Sequence, residues 1–252
     1  MNQPERVPTN LRLLRIVDTL ASAGRPLSPS EINAEIGLPK ASIHRLCQTL
    51  IEEGYVTRDT DPKKLSLSRR MRQTASQILD TDHVRIGRHQ VLRGLAAELR
   101  ETVNFVVPEE AGMRYLDRVE ADWPLRVQLP IGSHVPFHCT ASGKCFLANL
   151  AHRPLTRLLA ALALEKRTDK TLTDAATLRA TLKEIRASGY ATDREEFIDG
   201  MMAVAVPVTG PQGQFLGALA AHGPASRLGP NRFDQIAIDL KRGASALAEQ
   251  IL

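Results

Sequence analysis

The sequence predicts an α+β protein in two parts: a small helical domain closed by a hairpin, then a larger domain of helices over a largely antiparallel sheet. Three observations carry this. Apolar residues recur at helical spacing through the first fifty positions and stop at glycines and prolines. Beyond residue 100, strand-like runs alternate with helical stretches. The charge is also uneven, with 12 Lys/Arg against 8 Asp/Glu in residues 1–75 and 21 against 20 in residues 76–252. A net positive charge confined to the first third points to a local surface for a polyanion.

Composition narrows the classes. The chain has 252 residues, 43% hydrophobic and 24% charged, so it buries a core like any ordinary folded protein. Its longest apolar run, Leu158 to Leu164, is far short of a bilayer span, and the polar start MNQPERVPTN lacks a signal-peptide core. A cytoplasmic protein with no membrane partner is expected. Cys47, Cys139 and Cys145 cannot all pair and none stands in a Cys-x-x-Cys frame, which argues against disulfide scaffolds and zinc ribbons.

In order along the chain, Leu13, Leu14, Val17, Leu20 and Ala21 mark a first helix, stopped by Gly24-Arg25-Pro26. Ser28 and Glu31 have the spacing of a capping box and open a short second helix that Gly37 ends. Pro39 suits the first turn of a third, from about Lys40 to Glu53. YVTRD, the polar TDPKK and LSLS then read as a hairpin. Helix, helix, tight turn, helix, hairpin is the order of a winged helix-turn-helix, placed at residues 1–68. Arg69 to Leu79 reads as a linker helix (69–81), beginning RRMR, and a long helix carrying Val91, Leu92, Leu95 and Leu99 opens the second domain, 82–252. There TVNFVVPEE, MRYLDRVEA and LRVQLP read as strands, and ASGKCFLANL, 153–164 and 178–188 as helices. VAVPVTG, PQGQ and FLGALAAHG form a hairpin before a last helix from about Asn231 to Ile251.

The third helix has the residues to read DNA. Ile43, Leu46, Cys47 and Leu50 form one apolar stripe, and Ser42, His44, Arg45, Gln48 and Thr49 lie opposite, with Lys40 at the start. Arg and Gln make bidentate contacts to base edges, and Ser, Thr and His donate or accept. Arg58, Lys63 and Lys64 on the wing are the candidate phosphate contacts.

Three segments carry a resemblance. GLPKASIHRLCQTLIEEGYV resembles the recognition-helix region of the IclR family of bacterial transcriptional regulators, PFHCTASGKCFLANL its effector-pocket segment, and GYATDREEFIDGMMAVAVPV followed by FLGALAAHGP its carboxy-terminal signature. They stand in the family's order, and the likeness covers nearly the whole chain. It implies a GAF/profilin-like second domain that binds a small metabolite, and a homodimer or homotetramer on a palindromic operator. It also implies an effector site. Ala141 and Ser142 match positions whose backbone holds the effector's carboxylate, and Asp193 matches a ligand-bonding aspartate. Met201, Ala203, Ala220 and His222 match pocket-lining positions, with Val127, Leu129 and Val135 as apolar walls.

The residues give this site a logic of their own. Thr140 is placed to cap a helix whose first amides, Ala141 to Gly143, attract an anion, and Gly143 would permit close approach. Alternation puts Met201 with Ala203, and Ala220 with His222, on common faces. Catalysis by His138, Cys139 and Lys144 lacks an oriented third group, and a metal site from His138, Asp193 and His222 lacks supporting spacing. Glu195 and Glu196 read as structural salt-bridge partners. The expectation is a ligand-responsive regulator, most simply a repressor of a catabolic operon, sensing a small organic acid without cofactor or metal. The competing reading is a metabolite-binding enzyme that uses its winged helix to hold a protein.

Overall fold

The computed structural model describes residues 8–79, 82–110, 112–123 and 129–251. The chain divides into two compact units at the 81/82 junction.

In the first unit, α1 (Arg12–Ala23) ends at Gly24 in the left-handed conformation, and α2 (Pro29–Ile36) starts with a complete capping box. The Ser28 hydroxyl accepts from the Glu31 amide at 3.2 Å, and the Glu31 carboxylate accepts from the Ser28 amide at 2.8 Å. The turn into α3 (Lys40–Glu52) is held by Asn33, whose side chain donates to the Leu38 carbonyl and accepts from the Leu38 amide, at 2.8 and 2.9 Å. The hairpin of β1 (Val56–Arg58) and β2 (Leu65–Leu67) closes the fold, with Leu27 bridging to Leu65. Ile16, Leu20, Ile32, Ile43, Cys47, Leu50, Val56 and Leu65 make one buried core, so the predicted apolar stripe of α3 faces inward. Helix α4 (Arg69–Leu79) follows.

The second unit is a six-stranded antiparallel sheet between two helical layers. Its order is β5 (His134–Val135), β4 (Gly112–Val119), β3 (Thr102–Glu109), β8 (Phe215–Pro224), β7 (Met201–Thr209), β6 (Ala191–Arg194). On one face lie α5 (Asp82–Leu99) and α9 (Phe233–Ile251), packed through Leu92, Leu95, Ile236, Leu240 and Leu247. The other face carries α6 (Ala141–Asn149), with α7 (His152–Ala161) and α8 (Ala175–Ser188) outside it. A buried ion pair ties α5 to β4: Arg88 Nε donates to Asp117 Oδ2 at 3.0 Å, with both side chains almost fully buried.

Three sequence expectations change. Most of LRVQLP lies outside the described residues, but Leu129 and Pro130 are not in a strand; the edge strand is His134–Val135 instead. Pro130 has no amide to give a ladder, and its carbonyl closes a turn by accepting from the Ser133 amide at 3.1 Å. The helix expected over 153–164 stops at Ala161, because Leu162 turns extended and packs with Leu164 against the core under α6. The last helix begins at Phe233, after a 3-10 turn over Pro230–Arg232.

Two glycines predict opposite outcomes. A Cβ on Gly143 would lie 2.4–2.7 Å from the Phe137 backbone, which cannot swing aside, whereas one on Gly94, inside α5, meets nothing within 4 Å. Gly143→Ala should destabilise the second unit by about 1–3 kcal/mol, and Gly94→Ala should stabilise it by about 0.5–1 kcal/mol. Urea unfolding of the two variants checks both signs.

Candidate functional site

The outward face of α3 presents Lys40, His44, Arg45 and Gln48 to solvent, with Ser42 and Thr49 half-buried at its margins. Not all are equally available. The Thr49 hydroxyl donates back to the Arg45 carbonyl at 3.1 Å, and Gln48 Nε2 donates to Glu52 Oε1 at 2.9 Å. Gln48 must leave Glu52 before both ends of its amide can meet a base. Arg45 carries no such restraint.

The wing is a built turn. Asp59 accepts from the amide and hydroxyl of Thr60, at 2.6 and 2.7 Å, and from the Ser66 hydroxyl at 3.1 Å. Arg58 donates to the Pro62 carbonyl at 3.2 Å, bracing the tip that presents Lys63, while Lys64 is half-buried. In the RRMR start of α4, Arg70 donates to the Glu53 carbonyl and stacks 4.2 Å over the Tyr55 ring, and Arg72 donates to the Leu67 carbonyl at 3.1 Å. These two guanidiniums hold α4 to the end of α3 and to β2, and all three arginines of the run are exposed.

The second site lies between α6 and the sheet. Register puts Asp193, Ala203, His222 and Thr102 on one rung and Ala191, Ala205, Ala220 and Asn104 on the next, all on the α6 face. Val135, Ala141, Ala203 and Ala220 share one buried cluster, with Leu129 packed against it. Met201 is buried one step further along β7, and Val127 lies outside the described residues. The alanines leave the middle of this face shallow and its ends polar.

Thr140 caps α6 as expected, but its hydroxyl takes the Gly143 amide at 3.1 Å, so the amides that helix geometry leaves for an anion are those of Ala141 and Ser142. Gly143 is required for the approach of Phe137 and not for a ligand's. At the other end, His222 Nδ1 pairs with Asn104 Nδ2 at 3.0 Å, and Asn104 Oδ1 accepts from Arg118 at 3.3 Å. With Asn104 donating, Nδ1 is the ring's acceptor and Nε2 carries the proton. Arg118 in turn reaches Glu120 at 3.3 Å. Sequence alternation did not single out Asn104 or Arg118, because their place one rung from His222 depends on strand order; the signal was a pair of charged residues inside an otherwise apolar strand.

Asp193 is buried, with Oδ1 accepting from the Glu196 amide at 2.8 Å. Burial pushes its carboxyl up to about 7 against the pull of that amide and of Lys144. Lys144 is 1% exposed and ion-paired with Glu196, while Lys170 holds Glu195, so the two glutamates are structural partners. The buried Cys139 thiol is pushed up to about 12 by desolvation and by Asp193 and Glu196, the reverse of an activated nucleophile. Among the described residues no group of three His, Cys, Asp or Glu is placed to hold a metal, and no helix is long and apolar enough to cross a membrane.

Two family models match this chain: the IclR helix-turn-helix domain over residues 11–60 and the bacterial transcriptional regulator IclR C-terminal domain over residues 76–249. The probable transcriptional regulator SauR of Cupriavidus necator is 36% identical over 239 residues, covering 95% of both chains. The transcriptional repressor IclR of Escherichia coli is 28% identical over 90% of this chain and 84% of its own. The acetate operon repressor of Salmonella typhimurium is 27% identical over 92% and 85%. Among solved structures, the Thermotoga maritima IclR superposes with a TM-score of 0.65 at 25% identity, over 96% of this chain and 98% of that one. With a DNA-binding helix-turn-helix in the first unit and the matching carboxy-terminal domain in the second, the chain belongs to the IclR family of bacterial transcriptional regulators.

Proposed function

We propose that the chain represses a catabolic operon in the cytoplasm by placing α3 in the major groove of a palindromic operator, and that a small organic acid bound between α6 and the sheet changes its grip on DNA. The observation that carries the effector reading is that α6, whose Ala141 and Ser142 amides helix geometry leaves for an anion, packs over the alanine floor, with His222 and Asp193 on the Ala203 rung. A ligand with a carboxylate for the helix start and a second polar group for His222 suits these groups. The names of the Escherichia coli and Salmonella relatives support repression and an organic-acid operon. Exposed Leu11, Leu14 and Ile78 in the first unit support a homo-oligomer, which a two-fold operator requires. The effector acts by binding two domain arrangements unequally.

Arg45→Ala with Gln48→Ala should remove sequence preference and leave weak, salt-sensitive binding, at a cost of about 1–3 kcal/mol per lost base contact. Footprinting on the operator beside the chain's own gene checks it; an unchanged footprint would move the reading elsewhere. Neutralising Arg58, Lys63 and Lys64 in the same assay should instead weaken all DNA alike and flatten the salt dependence.

His222→Ala should weaken an acid that carries a distal hydroxyl or carboxylate and spare its truncated partner. Calorimetry on such a ligand pair decides, and equal losses would show that His222 does not read the distal group. Effector affinity should also depend on Asp193. A carboxyl whose pKa is raised on folding, from 3.8 to about 7, favours the folded state when protonated. That contribution is full below pH 4 and lost as pH rises towards 7, each unit of displacement being worth about 1.4 kcal/mol. An anionic effector adds to the bias, so it should bind more tightly at pH 6 than at pH 8, and Asp193→Asn should flatten the difference.

A further inference from the structure

On the opposite face of the sheet from the effector site, α5 and the end of β4 enclose a groove of about 380 Å³. Its helix side is Arg93, Ala96 and Ala97 on α5 with Arg100 just past the helix end, so two alanines lie between two arginines. Trp123 forms the facing wall and is 39% exposed. The indole is held in place before any ligand arrives. Its Nε1 donates to the Arg100 carbonyl at 2.9 Å, and the Arg227 guanidinium lies 4.6 Å over the ring. Arg227 is itself locked by two 2.9 Å bonds to the buried Glu101 carboxylate. Arg100 has φ +56°, an uncommon conformation for a residue with a side chain, and it is the turn this creates that points its carbonyl at the indole.

The charges favour an anion. Neither Arg93 nor Arg100 makes a side-chain bond among the described residues, and both are exposed. Of the two acids on the strand side, Glu120 is paired with Arg118, which leaves Asp122 against two cations. The floor is too shallow for a bulky ring system, and the volume stands at the small end for a ligand site. We propose that this groove is a second ligand site, taking a planar, single-ring aromatic carboxylate that stacks on Trp123 over Ala96 and Ala97 and pairs its acid with Arg93 or Arg100. It lies across the sheet from the effector site and needs none of that site's residues.

Trp123 is the chain's one tryptophan, so its fluorescence reports the groove directly. Titrating the full-length protein with benzoate should quench or shift that emission in a saturable way. Cyclohexanecarboxylate (same charge, not planar) and benzylamine (planar, opposite charge) should bind at least about tenfold more weakly, a difference of about 1.4 kcal/mol. Arg93→Ala with Arg100→Ala changes only exposed side chains and should lose the benzoate response by a similar factor, with circular dichroism confirming the fold. Calorimetry on Trp123→Phe should show weaker binding where fluorescence is lost. His222→Ala should leave benzoate affinity unchanged. The proposal is overturned by equal responses to all three probes, by no saturable response to benzoate, or by a response that survives loss of both arginines. It is equally overturned if His222→Ala removes the response, which would place benzoate in the effector site.

Discussion

The second unit depends on how closely α6 can lie on the sheet. The central strands meet it with Ala203, Ala205, Ala218 and Ala220, and the helix meets the preceding segment with Gly143, where Phe137 leaves no space for a Cβ. The close approach buries α6 almost all round, from Ala141 to Ala148. A helix so buried cannot carry a lone charge, because an unpaired ammonium out of water costs several kcal/mol. Lys144 therefore has Glu196, and Glu196 is held by the loop that follows Asp193, whose carbonyls accept from Thr168 and Thr171. The same alanines that admit the helix leave the shallow floor beside its first turn. Packing and the candidate effector site are two results of one choice of small side chains.

Much of this was legible in the sequence, and the reasons differ by level. Local chemistry fixed the elements of the first unit: Ser28 with Glu31 for a cap, Gly24 and Gly37 for stops, Pro39 for a start. Each is a short-range rule and each acts within a few residues. The Thr140 cap and the common faces of Met201 with Ala203 and of Ala220 with His222 were legible for the same reason. What failed did so where distant packing outranked local preference. Leu162 and Leu164 leave a helix they could have continued because the core under α6 has room for them. The Asn104, Arg118 and His222 cluster was invisible because β8 lies about a hundred residues beyond the β3–β4 hairpin and meets it only through the sheet order.

The first unit shows the opposite economy. Its polar side chains are used locally, and several of its cations, Arg58 of the candidate DNA contacts among them, are engaged within the domain. Arg70 and Arg72 clamp the hairpin to α4, and Arg58 stiffens the wing tip. A cation spent on a carbonyl still attracts phosphate at a distance, yet its hydrogen bonds are no longer free for it. Among the described residues, Arg45 on α3 and Lys63 on the wing make no such side-chain bond, which favours them as the contacts that the proposed function assigns to base and to backbone.

Between the two faces of the sheet the logic differs again. On the α6 face, buried polar groups are arranged so that each has a neighbour, and a ligand must fit between existing bonds. On the α5 face, the arginines of the groove hold no side-chain partner among the described residues, while the indole opposite is fixed by Arg227 and the Arg100 carbonyl. A fixed aromatic wall beside exposed arginines lowers the ordering cost of binding on one side only, since the long side chains must still be ordered. The proposed groove should therefore bind weakly and respond at high ligand concentration, and β4, which turns Arg118 towards Asn104 on the α6 face, ends at the groove's rim.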